Sequence, residues 1–217
     1  MSLSLYGYWR SSATYRVRIA LNLKGLDFEY TPIHLLKEGG QQRKGDYKHL
    51  NPSMLVPSLI DINTGVSLTQ SLAIIEYIDE QYPTKTQLVP GSIKERAFVR
   101  MLSQDLACDV QPLANLRVLQ ALKLKLGVQD KGTKEWANHW ITEGLVAFEA
   151  RAKTCSGVYA YKDSVTMIDA CLVPQVYSAM RFGVDMNKFP ITKQIYERCN
   201  TIAAFIDAAP ENQIDAE

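Results

Sequence analysis

Apolar and polar residues alternate from Leu3 to Trp9 (Leu-Ser-Leu-Tyr-Gly-Tyr-Trp), the two-residue period of a strand. Arg10-Ser11-Ser12 follows as a loop that ends in helix-capping residues. From Ala13 the period lengthens: Val17, Ala20, Leu21 and Lys24 share one helical face, and Gly25 stands where a helix would end. Phe28, Tyr30 and Pro32–Ile33 predict a second strand, with the proline near its end. The polar run from Glu38 to Gly45 reads as a loop with room for a short helix. Leu55-Val56-Pro57-Ser58-Leu59-Ile60 leads into a strand, which Asn63-Thr64-Gly65 turns tightly into Val66-Ser67-Leu68. After Gln70-Ser71, the apolar positions Leu72, Ile75, Ile78 and Tyr82 mark an amphipathic helix that Pro83 closes.

The order β-α-β, loop, β-β-α has a geometric consequence. Two strands joined by a helical crossover run parallel, whereas a hairpin is antiparallel, so a small mixed sheet is expected. Residues 84–91, with Pro83 before them and Pro90-Gly91 at their end, form the expected linker. Beyond it the strand signal fades. Ser92-Ile93-Lys94-Glu95 has capping-box spacing and opens a long helix. Helical patterns follow over roughly 114–126, 133–153, 167–182 and 191–209. The expected fold is an α/β domain over 1–83, a linker over 84–91, and an all-α domain over 92–217.

Composition narrows the chemistry. Twenty-four Lys and Arg against 23 Asp and Glu give a net charge of +1, which lacks the basic footprint of a nucleic-acid binder. A 47% hydrophobic, 22% charged chain is globular in composition. No apolar run approaches the roughly 18 residues of a membrane span, and no basic leader precedes an apolar stretch at Met1. A soluble, cytoplasmic protein is expected, with no membrane or nucleic-acid partner. Cys108, Cys155, Cys171 and Cys199 are scattered without a CxxC pair, and His34, His49 and His139 stand apart, so no metal is expected. Cys171 and Cys199 lie in apolar stretches and are expected to be buried.

A capped helix directly after a first strand favours anions and thiolates. Its N-terminus contributes about 0.3–1 kcal/mol to an anion, up to about 2 where partly buried. A hydroxyl donating to a thiolate adds roughly 1.5–3 kcal/mol. Together they lower a thiol pKa by about one to three units, enough to hold it mostly ionised at neutral pH. Ser11 and Ser12 supply the hydroxyls, but no protein thiol is near them in sequence. By itself Ser12 could be merely an N-cap; as a site, the two hydroxyls need a thiol brought by a ligand.

At these residues the chain resembles zeta-class glutathione transferases. Arg10-Ser11-Ser12-Ala13-Thr14-Tyr15-Arg16-Val17-Arg18-Ile19-Ala20-Leu21 is similar to that class's signature. The similarity runs on through Gly39-Gly40-Gln41-Gln42, Leu50-Asn51-Pro52, Val56-Pro57-Ser58-Leu59 and Gln70-Ser71-Leu72-Ala73-Ile74-Ile75-Glu76-Tyr77. It continues in Val110-Gln111-Pro112-Leu113-Ala114-Asn115-Leu116 and in Val165-Thr166-Met167-Ile168-Asp169. Within the class the chain resembles the bacterial maleylacetoacetate isomerase branch.

The resemblance implies a thioredoxin-like N-terminal domain, a helical C-terminal domain, and a homodimer. It makes glutathione the cofactor that brings the thiol. It implies Ser11 as the hydroxyl on the thiolate, with Ser12 as its catalytic neighbour, and Ala13, Thr14, Tyr15 and Arg16 lining the helix start beneath. It places Gln42 at the glycyl end, Val56 before a cis Pro57 as a strand-like partner of the cysteinyl unit, and Gln70 and Ser71 on the γ-glutamyl group. From the helical domain it adds Gln111, Asn115, Leu116 and Arg117 to the cofactor site. Arg10 and Arg181 become candidate anchors for a substrate carboxylate, since arginine grips carboxylates bidentately.

The class often has cysteine where this chain has Ala13, so no side chain there acts as an auxiliary thiol. With glutathione as nucleophile that loss matters little. The implied activity is glutathione-dependent cis–trans isomerisation of maleylacetoacetate to fumarylacetoacetate, in tyrosine and phenylalanine breakdown. The alternatives are conjugation or dehalogenation of small α-haloacid-type electrophiles, and a non-catalytic binding or regulatory protein of the same fold.

Overall fold

The computed structural model describes residues 2–84 and 86–217; Lys85, in the expected linker, lies outside them. The chain divides into two compact units. One comprises Met1–Leu88 with Ile202–Glu217, and the other Val89–Thr201.

In the first unit, β1 (Leu3–Gly7), β2 (Phe28–Pro32), β3 (Ser58–Asp61) and β4 (Val66–Thr69) form a sheet of order β2-β1-β3-β4 among the described residues. β1 and β2 are parallel, with Leu5 opposite Tyr30, while β1–β3 and β3–β4 are antiparallel. This is the mixed sheet that the crossover and the hairpin require. The crossover helix α1 (Ser12–Leu23) and the later α3 (Ser71–Gln81) pack together, and the short α2 (Gly45–Leu50) lies between β2 and β3. Leu3, Leu5, Val17, Ile19, Leu21, Leu59, Ile74, Ile75 and Ile78 are almost wholly removed from water and make the core.

The second unit is helical. α4 (Ile93–Gln104) starts with the expected box, Ser92 and Glu95 each capping the other's backbone N–H. It runs into a π-helical segment, Asp105–Val110, and then α5 (Gln111–Leu113), α6 (Leu116–Leu126) and α7 (Asp130–Cys155). α8 (Met167–Arg181) is buried along nearly its whole length and packs against α4, α7 and α9 (Pro190–Cys199). Val110, Ile141, Leu145, Ala179, Val184 and Phe189 form one of its core clusters. Cys171 and Cys199 are buried as expected.

Two sequence expectations need correction. The pattern over roughly 191–209 is two helices, α9 and α10 (Ala203–Ala208), because the chain leaves helical geometry after Cys199, is extended at Ile202 and re-enters at Ala203. Residues 202–217 also do not belong with the all-α domain assigned to 92–217. They return to the first unit, where α10 packs on α1 and Arg18 and Asn22 donate to the carbonyls of Ala208 and Ala204 at 3.0 and 3.1 Å. Buried Arg18 needs acceptors, and the carbonyls left without an intrahelical partner at the end of α10 supply one. No described helix is long and apolar enough to cross a membrane.

Candidate active site

The turn from β1 into α1 is tightly built. Gly7 lies so close to α1 that a Cβ there would come within 2.3 Å of the Thr14 methyl group. The Ser11 N–H donates to the Tyr8 carbonyl at 3.0 Å, and Ser11 caps α1, its Oγ accepting from the Thr14 N–H at 3.2 Å. With the oxygen's acceptor role used inside the protein, its O–H remains to donate outward. Ser11, Ser12 and Ala13 are half-buried, and no acidic side chain occupies the first turn to compete for the helix N-terminus. Thr14, Tyr15 and Arg16 are buried beneath.

A second helix start lies beside the first. Arg16 donates from Nη1 to Ser71 Oγ at 3.1 Å, tying α1 to the first residue of α3. Gln70, exposed just before it, has φ 71° and ψ 114°, a left-handed conformation that costs a non-glycine residue about 1–3 kcal/mol. Such strain turns the Gln70 side chain and the first amides of α3 to where an extended chain would not put them.

Val56 precedes a cis Pro57. Its side chain is buried with Tyr8, Trp9 and Tyr47, while its peptide N–H and C=O make no hydrogen bond among the described residues. That is a free strand edge of one residue, placed against the turn that carries Ser11. Gln42 is 5% exposed and folds back over Gly40, where a Cβ would lie 2.7 Å from its Nε2. Its Nε2 donates to the Leu35 carbonyl at 3.5 Å, and its Oε1 is buried without a donor. Gln42 and Ser11 belong to the same unit but to different loops.

Arg10 is half-buried, its guanidinium 5.1 Å from the centre of the Trp9 ring. The second unit holds the remaining expected residues. Gln111 is half-buried in α5; Asn115 caps α6, its Oδ1 accepting from the Arg117 N–H at 3.1 Å. Leu116 is half-buried and Arg117 exposed. Arg181 is exposed at the last turn of α8, with its guanidinium 4.7 Å from the Phe182 ring centre.

Arg18, not among the residues expected from sequence, is 1% exposed and donates from Nη2 to the Trp9 carbonyl at 2.9 Å. A charged residue inside the apolar run Val17–Leu21 is the signal that could have found it, since buried charge demands partners. Burial pushes the Arg18 guanidinium below arginine's usual range, while Tyr30, Tyr15 and Asp215 favour its charge. Burial likewise pushes the Tyr30 hydroxyl far up, so it stays a donor.

All four cysteines lie in the second unit. Burial, reinforced by Asp169, raises the Cys199 thiol far above its ordinary range, and burial alone raises Cys155. Among the described residues no group of three or more His, Cys, Asp or Glu side chains could hold a metal ion. The first unit, which carries the Ser11 turn, thus contains no thiol of its own.

Residues 5–86 match the family model described as glutathione S-transferase, N-terminal domain. Over 216 residues the chain is 50% identical to a probable maleylacetoacetate isomerase of Vibrio cholerae, covering all of this chain and 99% of that protein. It is 41% identical over 217 residues to a maleylpyruvate isomerase of Ralstonia, covering 99% of this chain and 100% of that one. Among solved structures, the maleylacetoacetate isomerase of Methylobacterium extorquens, with bound malonate and glutathione, superposes with a TM-score of 0.93 at 36% identity and 99% coverage of both chains. The open serine cap, the strained Gln70-Ser71 start and this full-length similarity place the chain in the zeta class of the glutathione transferase family.

Proposed function

We propose that the chain is a glutathione-dependent isomerase that converts maleylacetoacetate to fumarylacetoacetate in tyrosine and phenylalanine catabolism. The carrying observation is the open cap at Ser11, a thiolate site without a protein thiol, in a chain half identical to a probable isomerase of that substrate.

Glutathione fits the residues present. The Val56 peptide, without an internal partner, suits the extended cysteinyl backbone. The Gln42 Oε1, buried without a donor, suits an N–H near the glycyl end, and Gln70 and Ser71 suit the charged γ-glutamyl group at the head of α3. When bound, the tripeptide would supply a thiolate for reversible addition to the cis double bond, the chemistry that permits its conversion to trans. The Ser11 O–H donates to that sulfur while the α1 N-terminus adds its field. Ser12 and the first amides of α1 line the same turn, and Ala13 adds no competing nucleophile. Gln111, Asn115, Leu116 and Arg117 add contacts from the helical unit.

Arg10 and Arg181 hold the substrate carboxylates and fix the double bond over the sulfur. Support comes from the dicarboxylate malonate bound with glutathione in the Methylobacterium relative. The protein works as a cytoplasmic homodimer, a reading supported by its family and by four cysteines none of which forms a disulfide, which suits a reducing compartment.

The test is an absorbance assay with maleylacetoacetate, maleylpyruvate and dichloroacetate, each with and without glutathione. Maleylacetoacetate is expected to give the highest kcat/KM, strictly dependent on glutathione. The Ralstonia relative's substrate makes maleylpyruvate the second reading, and a higher kcat/KM on it would transfer the assignment. Turnover of dichloroacetate alone would make the protein a dehalogenating transferase, and binding without turnover a regulatory protein. Arg181→Ala or Arg10→Ala is expected to cut kcat/KM on the acidic substrate by about ten- to a hundred-fold, the worth of a charge-assisted bond of roughly 1.5–3 kcal/mol, and to spare an uncharged electrophile.

A further inference from the structure

The segment 202–217 contributes little apolar packing beyond α10: Ile214 is 86% exposed, and Ala216 and Glu217 are exposed. Yet its half-buried Asp215 turns inward. Asp215 Oδ2 accepts from the Trp9 N–H at 2.9 Å and from the Tyr30 hydroxyl at 3.4 Å. Arg18, on α1, holds the other side of the same residue through the Trp9 carbonyl and reaches 202–217 through the Ala208 carbonyl. The Tyr8 carbonyl is taken by the Ser11 N–H. The peptide groups of the turn leading to Ser11 are thus held in series: Asp215 on the Trp9 N–H, Arg18 on the Trp9 C=O, and Ser11 on the Tyr8 C=O.

The same segment also reaches the loop after β2. Glu217 pairs with Lys37 and stands 3.4 Å from His34 Nε2. His34 Nδ1 accepts from the Leu36 and Lys37 N–H groups, so Nε2 carries the proton and donates to Glu217. The His34 N–H and C=O are bonded to Gln41, the residue before Gln42. Two loops that end parallel neighbouring strands, one carrying Ser11 and one leading to Gln42, are therefore gripped by two carboxylates only two residues apart.

We propose that Asp215 is a positioning residue for Ser11: it fixes the Trp9 peptide, and through it the turn that aims the Ser11 hydroxyl. Trp9 is one residue from Arg10 and two from Ser11, and no other described side chain accepts its N–H. A carboxylate is the right group, because a peptide N–H to an ionised oxygen is shorter and stronger than to a neutral one and resists displacement by water at a half-buried site. The inference rests on the proposed role of Ser11 in holding the glutathione thiolate. It adds a residue 204 positions further along the chain than Ser11 to the machinery of that site.

The experiment compares the full-length protein with Asp215→Ala, Asp215→Asn and Ser11→Ala. Each is read by ultraviolet titration of the thiolate of bound glutathione, by kcat and KM on the isomerisation, and by melting temperature, with kinetics taken well below each variant's own melting point. Asp215→Ala is expected to raise the pKa of the bound thiol and lower kcat at neutral pH by about three- to ten-fold, the size of a modest misplacement of a reacting group, with KM for glutathione nearly unchanged. Asp215→Asn keeps an oxygen for the Trp9 N–H but not its charge, and is expected to recover part of the loss. If Ser11→Ala moves the thiol pKa and kcat while Asp215→Ala changes only the melting temperature, Asp215 merely supports the fold and the inference is overturned. If Ser11→Ala moves neither, the proposed role of Ser11 falls first and this inference with it.

Discussion

At the head of α8, Thr166 is completely buried, and its hydroxyl is spent in both directions. The oxygen accepts from the Ile168 N–H at 3.3 Å and the O–H donates to Asp169 Oδ2 at 3.2 Å. Asp169 in turn accepts from the Thr166 N–H at 2.8 Å and the Ala160 N–H at 2.9 Å. At the head of α1, Ser11 makes the same first bond, to Thr14, but no carboxylate follows in that turn and the residue is half-buried. The two starts share their capping chemistry and differ in closure. A closed box consumes the helix N-terminus for folding; an open one leaves a donor and a positive field for a ligand.

The strongest way to break this comparison is at the closed start. Asp169→Ala orphans two buried N–H groups, those of Thr166 and Ala160, and should cost about 2–6 kcal/mol in denaturant unfolding, at roughly 1–3 kcal/mol for each. Glutathione affinity of the protein that remains folded should not change. An affinity loss in proportion to the stability loss would show that the box also serves the site.

Asp169 also predicts a pH signature. Burial raises its carboxyl to about 6, although the Ala160 and Thr166 donors pull it down. A carboxyl raised in the folded state keeps its proton while the unfolded chain releases one, so its contribution falls as pH climbs from about 4 to about 6 and is constant above. The loss is on the order of 2–3 kcal/mol from the pKa difference. Asp169→Asn should flatten that part of the stability profile, measured as denaturant midpoint against pH. An unaltered slope would place the titration elsewhere.

At the open start the readout moves from stability to chemistry. Ser11→Ala should raise the pKa of the bound thiol by about one to two units and lower kcat/KM at neutral pH by roughly ten- to a hundred-fold, the worth of a charge-assisted donor of about 1.5–3 kcal/mol. Unfolding should register only the cap, about 0.5–2 kcal/mol. A large stability loss with an unmoved thiol pKa would turn Ser11 into a second Thr166.

Ser71 sharpens the comparison with a third helix start, strained at Gln70 and tied to Arg16. Ser71→Ala should weaken glutathione binding by about 1–3 kcal/mol in calorimetry if its hydroxyl leaves the γ-glutamyl group unpaired. The thiol pKa should stay put, because Ser71 is proposed at the opposite end of the tripeptide from the sulfur. A shifted pKa with unchanged affinity would reverse the roles given to α1 and α3.

Features that depend on residues three or four apart were legible in the sequence. The boxes Ser92–Glu95 and Thr166–Asp169, the hairpin at Asn63-Thr64-Gly65 and the parallel-then-antiparallel sheet all follow from local period, capping and turn chemistry, while the α1 cap falls at Ser11, one residue before the expected Ser12. The positions resembling the glutathione transferase signature were likewise visible as contiguous strings. Other features left no such mark. The π-helical segment Asp105–Val110 has the same apolar period as an α-helix over so short a length. The break after Cys199 lies in a run that reads as one amphipathic helix.

The sequence by itself determined which helix starts are capped, and whether a carboxylate stands three residues on to close the cap. Whether a hydroxyl is buried or reachable, and what steadies the turn that bears it, was decided by tertiary structure. Asp215 is 206 residues from Trp9 and sits in an exposed stretch with no period, so nothing nearby in the chain shows that it faces inward. Arg18 gains its second acceptor, the Ala208 carbonyl, only when α10 returns to α1. Capping energies act within a single turn and are written in neighbouring letters. A buried arginine and a peptide N–H find their partners only where the folded chain brings distant segments within hydrogen-bond reach.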